Sequence, residues 1–155
     1  MENRLLCAAI EEWLNVYKKN SVKALTYDRL FIAYKLMLKY PIAVIPVNEI
    51  TCDDMQRYIG DLVNHGYSIS TIKKQFNLLT AYWKHGMAKG AVSNPVYLGV
   101  CLPSESATGQ FREDVQTYSP MEQKQLLNVL MKLEVVQYGA IVLMLEAGLR
   151  IGETL

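Results

Sequence analysis

The sequence predicts an all-α fold, and three observations support that prediction. Apolar residues recur every three or four positions along several segments, which is the period of an amphipathic helix. Proline, glycine and helix-capping residues separate these segments. No segment shows the apolar–polar alternation that is typical of a half-buried β-strand.

The composition indicates a folded, water-soluble chain. Of its 155 residues, 51% are hydrophobic and 20% are charged, which excludes disorder as the main state. No segment approaches the ~20 apolar residues of a membrane span, and the N-terminus lacks the pattern of a secretory signal. We therefore expect a cytoplasmic protein without a membrane partner. Cys7, Cys52 and Cys101 form no CxxC pair, so reduced thiols are expected and no metal site is indicated.

Two helices are predicted at the N-terminus, over residues 3–18 and 23–39. The second ends before Pro41, and Pro46 is expected to keep the connection over residues 41–50 extended. The two apolar stripes comprise Leu6, Ile10, Trp13, Leu14 and Tyr17, then Tyr27, Leu30, Phe31, Tyr34 and Leu38.

Two more helices complete a compact domain over residues 1–90. Thr51 and Asp54 have the spacing of a capping box, and Gly66 is expected to end that helix. Ser70 is predicted to begin the fourth helix, which Gly90 ends. The apolar stripe of this helix comprises Ile72, Phe76, Leu79, Trp83 and Met87.

A linker and a second unit are predicted after this domain. Residues 91–118 have the proline- and serine-containing composition of an interdomain linker. Ser119 and Glu122 predict a helix start, and that helix is expected to end near Lys132. An apolar helix near Val135–Glu146 is expected to be buried, although residues 119–155 offer it few partners. The second unit is therefore expected to be the start of a larger domain.

Basic residues cluster on two of the predicted helices. Net charge is +4 over residues 1–95 and −3 over residues 96–155, and a basic first part suits a polyanion. Lysines suit phosphates, and Asn or Thr side chains suit phosphates or base edges. A solvated helix face remains the alternative for both helices. The candidate DNA-binding residues are Lys73, Lys74, Asn77, Thr80 and Lys84 on the fourth helix, with Lys23, Thr26 and Arg29 on the second.

Arg150 is the strongest candidate for a catalytic role. Gly148 permits a turn after the apolar helix, so that Arg150 projects at the next helix start, where a guanidinium is suited to a phosphate. Glu153 is placed to orient the guanidinium, and a simple local ion pair is the alternative. His65 and His85 are interpreted as structural residues at helix ends. With no glycine-rich phosphate loop present, neither a cofactor nor a metal is expected.

The order of several motifs resembles the tyrosine recombinase (phage integrase) family. The segment AGLRIGETL resembles the family's first active-site box, and Ala147 and Gly152 are small departures from its usual pattern. The segments STIKK, LLTAYW and SNP resemble the preceding core-binding domain, and TYSPMEQKQLL resembles the entry into the catalytic domain. Together these motifs extend over nearly the whole chain.

The resemblance implies a SAM-like four-helix core-binding domain followed by the first helices of a catalytic domain. It implies that the full-length protein binds duplex DNA as a multimer and recombines it through a phosphotyrosine, without a cofactor or small-molecule substrate. Arg150 would contact the scissile phosphate, supported by Glu153. The family's second active-site box and tyrosine nucleophile have no counterpart among these residues, so the chain alone is expected to bind DNA without recombining it. A non-catalytic all-α DNA-binding regulator and a protein-interaction module are the alternative hypotheses.

Overall fold

The structure, a computed structural model, describes residues 4–104, 117–132 and 136–154. The chain divides into two compact units, Met1–Phe111 and Arg112–Leu155. Regular secondary structure in the described residues is entirely helical, apart from an isolated antiparallel bridge between Leu5 and Pro46. The predicted all-α fold class is therefore confirmed.

The helices of the first unit lie close to their predicted positions. Helix α1 spans Leu6–Glu12 and continues as a π-helix over Trp13–Lys18, and α2 spans Ala24–Met37. Helix α3 spans Cys52–Asn64, and α4 spans Ile69–Ala88. Short 3-10 helices occupy Pro41–Val44 and Val96–Gly99. In the second unit, α5 spans Pro120–Lys132, α6 spans Tyr138–Ala147 and α7 spans Ile151–Thr154.

Apolar side chains from each of α1 to α4 form one core in the first unit. Helix α4 packs against both α2 and α3, and its predicted apolar residues Ile72, Leu79 and Trp83 are buried. Each such side chain contributes about 1.5–3 kcal/mol when fully buried. Side chains with no exposed surface include Leu6, Ile10, Leu14, Met37, Met55, Leu62, Ile72, Leu78 and Leu79.

A polar pair lies inside this apolar core. Gln75 on α4 is only 2% exposed, and its Oε1 accepts a hydrogen bond of 2.8 Å from the Tyr58 hydroxyl on α3. Burial raises the pKa of Tyr58 well above its ordinary value. The pair therefore links α3 to α4 through a neutral, mutually satisfied contact.

Two local features of the N-terminal helices differ from prediction. The helix predicted over residues 3–18 changes to π hydrogen bonding at Trp13, and the amide of Lys19 donates to the carbonyl of Leu14. The wider turn allows Tyr17 to leave the buried stripe, and 38% of this residue is exposed. The second helix ends at Met37, so Leu38 lies at the surface instead of in the core.

The connection before α3 is only partly extended. Pro41 occupies the first position of the 3-10 helix, where its missing amide hydrogen is not needed. The predicted extended conformation is therefore wrong for Pro41–Val44. Extended backbone resumes at Ile45, and Val47 donates its amide hydrogen to the carbonyl of Arg4.

Helix α3 has the predicted ends. The Thr51 hydroxyl accepts from the amide of Asp54, whose carboxylate accepts in turn from the amide of Thr51. The hydrogen bond that the Thr51 hydroxyl donates to this carboxylate lowers the pKa of Asp54, and the bond from the Thr51 amide lowers it further. Gly66, with a φ of 74°, follows the other end of the helix, where it was predicted to end it.

Helix α4 begins at Ile69, one residue earlier than predicted. Ser68, and not Ser70, is the N-cap, and its hydroxyl accepts from the amide of Thr71 at 3.3 Å. Ile69, the first helical residue, is buried. Gly90, with φ of 67°, lies just after the helix, as predicted.

The first unit continues beyond residue 90, where the predicted domain ends. Val96 is buried, and the 3-10 helix Val96–Gly99 packs against α3 and α4. Gln56 forms two hydrogen bonds with the backbone of Cys101, donating from Nε2 and accepting at Oε1. The first part of the predicted linker therefore packs on the helices, and residues 105–116 of it lie outside the described residues.

The described second unit has well-formed helix caps but little burial. Ser119 and Glu122 form the predicted capping box at the start of α5, with distances of 2.7 and 3.3 Å. No residue of α5 or α6 is buried, so the burial expected of the apolar helix does not occur within the described chain. Val135 and Leu155 lie outside the described residues. None of the described helices combines the length and apolarity that a bilayer crossing requires.

Candidate nucleic-acid interface

Helix α4 has one exposed basic face opposite its buried face. Lys73, Asn77 and Lys84 are exposed and fall within about 40° of one another around the helix axis, and exposed Lys74 flanks them. The face therefore has three cationic side chains and one amide, a combination that suits phosphate oxygens.

Thr80 does not belong to this exposed face. The residue is partly buried, and its hydroxyl oxygen is buried without a hydrogen-bond partner among the described residues. Its position lies at the margin between the basic face and the apolar face of α4. Thr80 therefore differs from the other predicted contacts because its polar atom is covered.

Lys73 and Lys74 lie beyond the first turn of α4. Because α4 begins at Ile69, these lysines are its fifth and sixth residues and lie in the second turn. The helix dipole acts mainly on charges in the first turn. The dipole is therefore expected to have little effect on these two exposed cations.

The predicted residues of the second helix lie at the start of α2. Lys23 is the N-cap, and Thr26 and Arg29 follow at intervals of three residues. All three residues are exposed, and α2 packs against α4. The two predicted basic segments therefore lie on helices that contact each other within the first unit.

Arg150 lies between α6 and α7 of the second unit. Gly148 has a φ of 65° and ends α6, as the sequence predicted. The amide of Arg150 donates to Glu153 Oε2 at 2.8 Å, and its guanidinium lies 3.7 Å from Glu153 Oε1. The Arg150 side chain is 88% exposed. Glu153 therefore holds the backbone of the turn and also pairs with a guanidinium that solvent reaches.

The two histidines have different surroundings. His65 follows α3, and its Nδ1 lies 2.7 Å from the Asp61 carbonyl oxygen. His85 packs against Trp13 and Tyr17, a contact that helix period alone does not predict. In the part of the chain described here, no three His, Cys, Asp or Glu side chains lie close enough together to hold a metal ion.

Comparison with known proteins gives one clear likeness. No family model matches the chain, and no curated protein matches it. A solved structure of the Tn1549 transposon integrase in complex with circular intermediate DNA is 18% identical, with a TM-score of 0.66 over 95% of this chain. A single-residue variant of that integrase, in complex with transposon right end DNA, is 16% identical, with a TM-score of 0.71 over 95%.

The likeness establishes the fold. This chain spans just under half the length of those integrase chains, 47% and 46% respectively. The described helices therefore share the all-α fold of the corresponding portion of those integrase structures, at low sequence identity.

Proposed function

We propose that this chain is the DNA-binding portion of a site-specific tyrosine recombinase from a mobile element. The observation that carries the proposal is the fold likeness, over 95% of the chain, to integrase structures solved with DNA. The order of the sequence motifs, which ends in AGLRIGETL, supports the same assignment independently. The full-length protein would act in DNA integration and recombination in the cytoplasm, as a multimer on DNA.

The basic face of α4 is the proposed main contact with duplex DNA. Lys73, Lys74 and Lys84 would neutralise phosphates, and Asn77 would bond to a phosphate or a base edge. Their common exposure on one face supports this role. Lys23, Thr26 and Arg29 at the start of α2 would form a second contact. Thr80 would have a packing role instead, because its hydroxyl is buried.

Arg150 is the proposed ligand of the scissile phosphate, and Glu153 is its positioning residue. A planar guanidinium binds two phosphate oxygens at once and stabilises charge that develops on them. An exposed ion pair contributes only about 0–1 kcal/mol, so the guanidinium exchanges Glu153 for a phosphate at little cost. Tyr34, Tyr40 and Tyr58 belong to the core, and we assign the nucleophile to none of them.

A salt titration of DNA binding tests the proposal. Affinity for duplex DNA is expected to fall with salt at a log–log slope of about −0.9 per phosphate contacted. The double variant Lys73→Ala/Lys84→Ala removes two proposed contacts and is expected to reduce the slope by roughly 2. Fluorescence anisotropy with a labelled duplex at several salt concentrations measures both quantities.

A matched control removes the same amount of charge from a different helix. Lys124→Ala/Lys132→Ala removes two exposed lysines of α5 that have no proposed contact. If both double variants change the slope equally, attraction is non-specific and the α4 assignment is wrong. If the unmodified chain shows no duplex binding at low salt, the protein-interaction hypothesis replaces the proposed function.

A further inference from the structure

A cavity of about 370 Å³ lies in the first unit, between the N-terminal helix and the end of α4. Its lining includes Trp13 and Tyr17 of the π-helix and Tyr82 and His85 of α4. The volume falls in the range of small-molecule sites, which are typically lined by aromatic side chains with a few polar groups. None of the proposed DNA contacts lines this cavity.

The cavity has aromatic walls set at several angles. The Trp13 and Tyr82 rings meet edge to face, with their centroids 6.0 Å apart. The Tyr17 and His85 rings are tilted, with centroids 4.5 Å apart. Tilted and edge-to-face rings offer both faces and edges to a planar guest, which are the preferred geometries of aromatic contact.

The charge balance at the cavity is positive. Arg4 and Glu12 line it and pair with each other, which leaves Lys89 as a lining cation with no carboxylate partner among the described residues. The Lys89 ammonium lies 3.9 Å from the centroid of the Tyr17 ring. An anionic group beside Lys89 would therefore meet an unneutralised charge directly next to an aromatic wall.

Two nitrogen atoms of lining residues have unmet hydrogen-bonding capacity. Trp13 is 2% exposed, and its Nε1 has no partner among the described residues. The same is true of His85 Nε2. Both nitrogen atoms are covered by neighbouring groups, so they are not counted among the contacts of a bound guest.

We propose that this cavity binds a small planar aromatic anion. The ring packs between the side chains of Trp13, Tyr17 and Tyr82, and the anionic group is held by Lys89. This binding is separate from DNA binding and does not depend on the proposed recombinase function. The competing possibility is that ordered water alone fills the cavity.

Titration of the ¹⁵N-labelled 155-residue chain with 2-naphthoate tests the proposal. Trp13 and Trp83 are the only two tryptophans, so the indole region of the NMR spectrum contains two assignable signals. The Trp13 indole signal is expected to shift saturably, with a Kd of roughly 1 mM or tighter. Trp83 does not line the cavity, so its indole signal serves as the internal control.

Two matched variants isolate the role of charge. Lys89→Met is expected to weaken 2-naphthoate binding roughly fivefold, as loss of a partly exposed ion pair does. Lys39→Met removes an exposed lysine that does not line the cavity and should leave the Kd unchanged. The cation 2-naphthylmethylamine should bind the unmodified chain more weakly than 2-naphthoate.

The outcomes are distinct. A saturable shift of Trp13 alone, weakened by Lys89→Met and not by Lys39→Met, supports the site. Absence of a saturable Trp13 shift, which includes the case in which water alone occupies the cavity, overturns the proposal. Equal binding of the anion and the cation overturns the assignment to an anionic ligand.

Discussion

At the residue scale, the pair Gln75 and Tyr58 shows how a polar contact is kept inside an apolar core. Gln75 lies three residues after Ile72 and four before Leu79, so its position on the buried face of α4 follows from the helix period. The identity of its partner on α3 does not follow from the helix period, because Tyr58 precedes Gln75 by seventeen residues in the sequence. The sequence therefore contains the signal for a buried amide but not for what satisfies it.

Substitution of one member of this pair is expected to be costly. Gln75→Leu leaves the Tyr58 hydroxyl buried without a partner, which typically costs about 1–3 kcal/mol. Urea denaturation measures the loss. The double variant Tyr58→Phe/Gln75→Leu removes both polar groups and should recover most of it. If the double variant is less stable than the single one, the pair is not a mutually satisfied unit.

His85 provides a pH dependence of stability. Burial lowers the pKa of His85 below its ordinary 6.5, and the positive charges of Lys89 and Lys18 lower it further. Below pH 6.5 the unfolded chain binds the proton more readily than the folded chain. The contribution of His85 to stability is therefore fully present above about pH 6.5. It is lost as pH falls through the lowered pKa of His85 in the folded chain.

Removal of the His85 imidazole is expected to remove this pH dependence of stability. His85→Gln should reduce the difference in unfolding free energy between pH 7.5 and pH 5.5, measured by urea denaturation at each pH. His65→Gln is the control, because it removes the other histidine and keeps the His85 contribution. An unchanged pH dependence in His85→Gln would show that the carboxylates alone cause it.

At the element scale, the position at which a helix begins depends on local hydrogen bonds and on tertiary packing. The capping boxes of α3 and α5 are confirmed because hydroxyl and carboxylate both bond within one helical turn. The start of α4 is different, since Ser68 and Ser70 are both acceptable N-caps by type. Burial of Ile69 favours Ser68.

The choice between the two serines can be measured directly. Ser68→Ala is expected to reduce the free energy of unfolding by about 1 kcal/mol, because an amide at the helix start loses its acceptor. Ser70→Ala should change stability by less than about 0.5 kcal/mol, since Ser70 is an exposed helical residue. Thermal denaturation of both variants compares them. Equal losses would indicate that α4 begins at either serine.

At the scale of the whole molecule, the two units differ in burial. The first unit has a core to which α1 to α4 all contribute, whereas α5 and α6 have no buried residue. Helices shorter than about 12–15 residues are marginal in water without tertiary packing. The apolar surface of α6 is therefore expected to need a covering partner for full stability.

Hydrogen exchange tests this difference. Amides of α6 are expected to exchange at least tenfold faster than those of Ile72–Trp83 in a dilute sample, because local unfolding of α6 uncovers no core. Mass spectrometry of peptic fragments resolves the two segments. Equal protection in a dilute monomer would contradict the expectation. Protection that rises with protein concentration would identify a second copy as the cover.

The sequence alone determined the fold class, the number of helices in the first unit, most helix ends and the exposed basic positions of α4. These features depend on helix period and on capping within one turn, so they follow from residues close together in the chain. The tertiary structure alone decided the π-helical turn at Trp13, the packing of Val96–Gly99 on α3 and α4, and the covered hydroxyl of Thr80. It also decided the cavity beside His85. These features arise where distant segments compete for the same buried space, and local preference does not settle that competition.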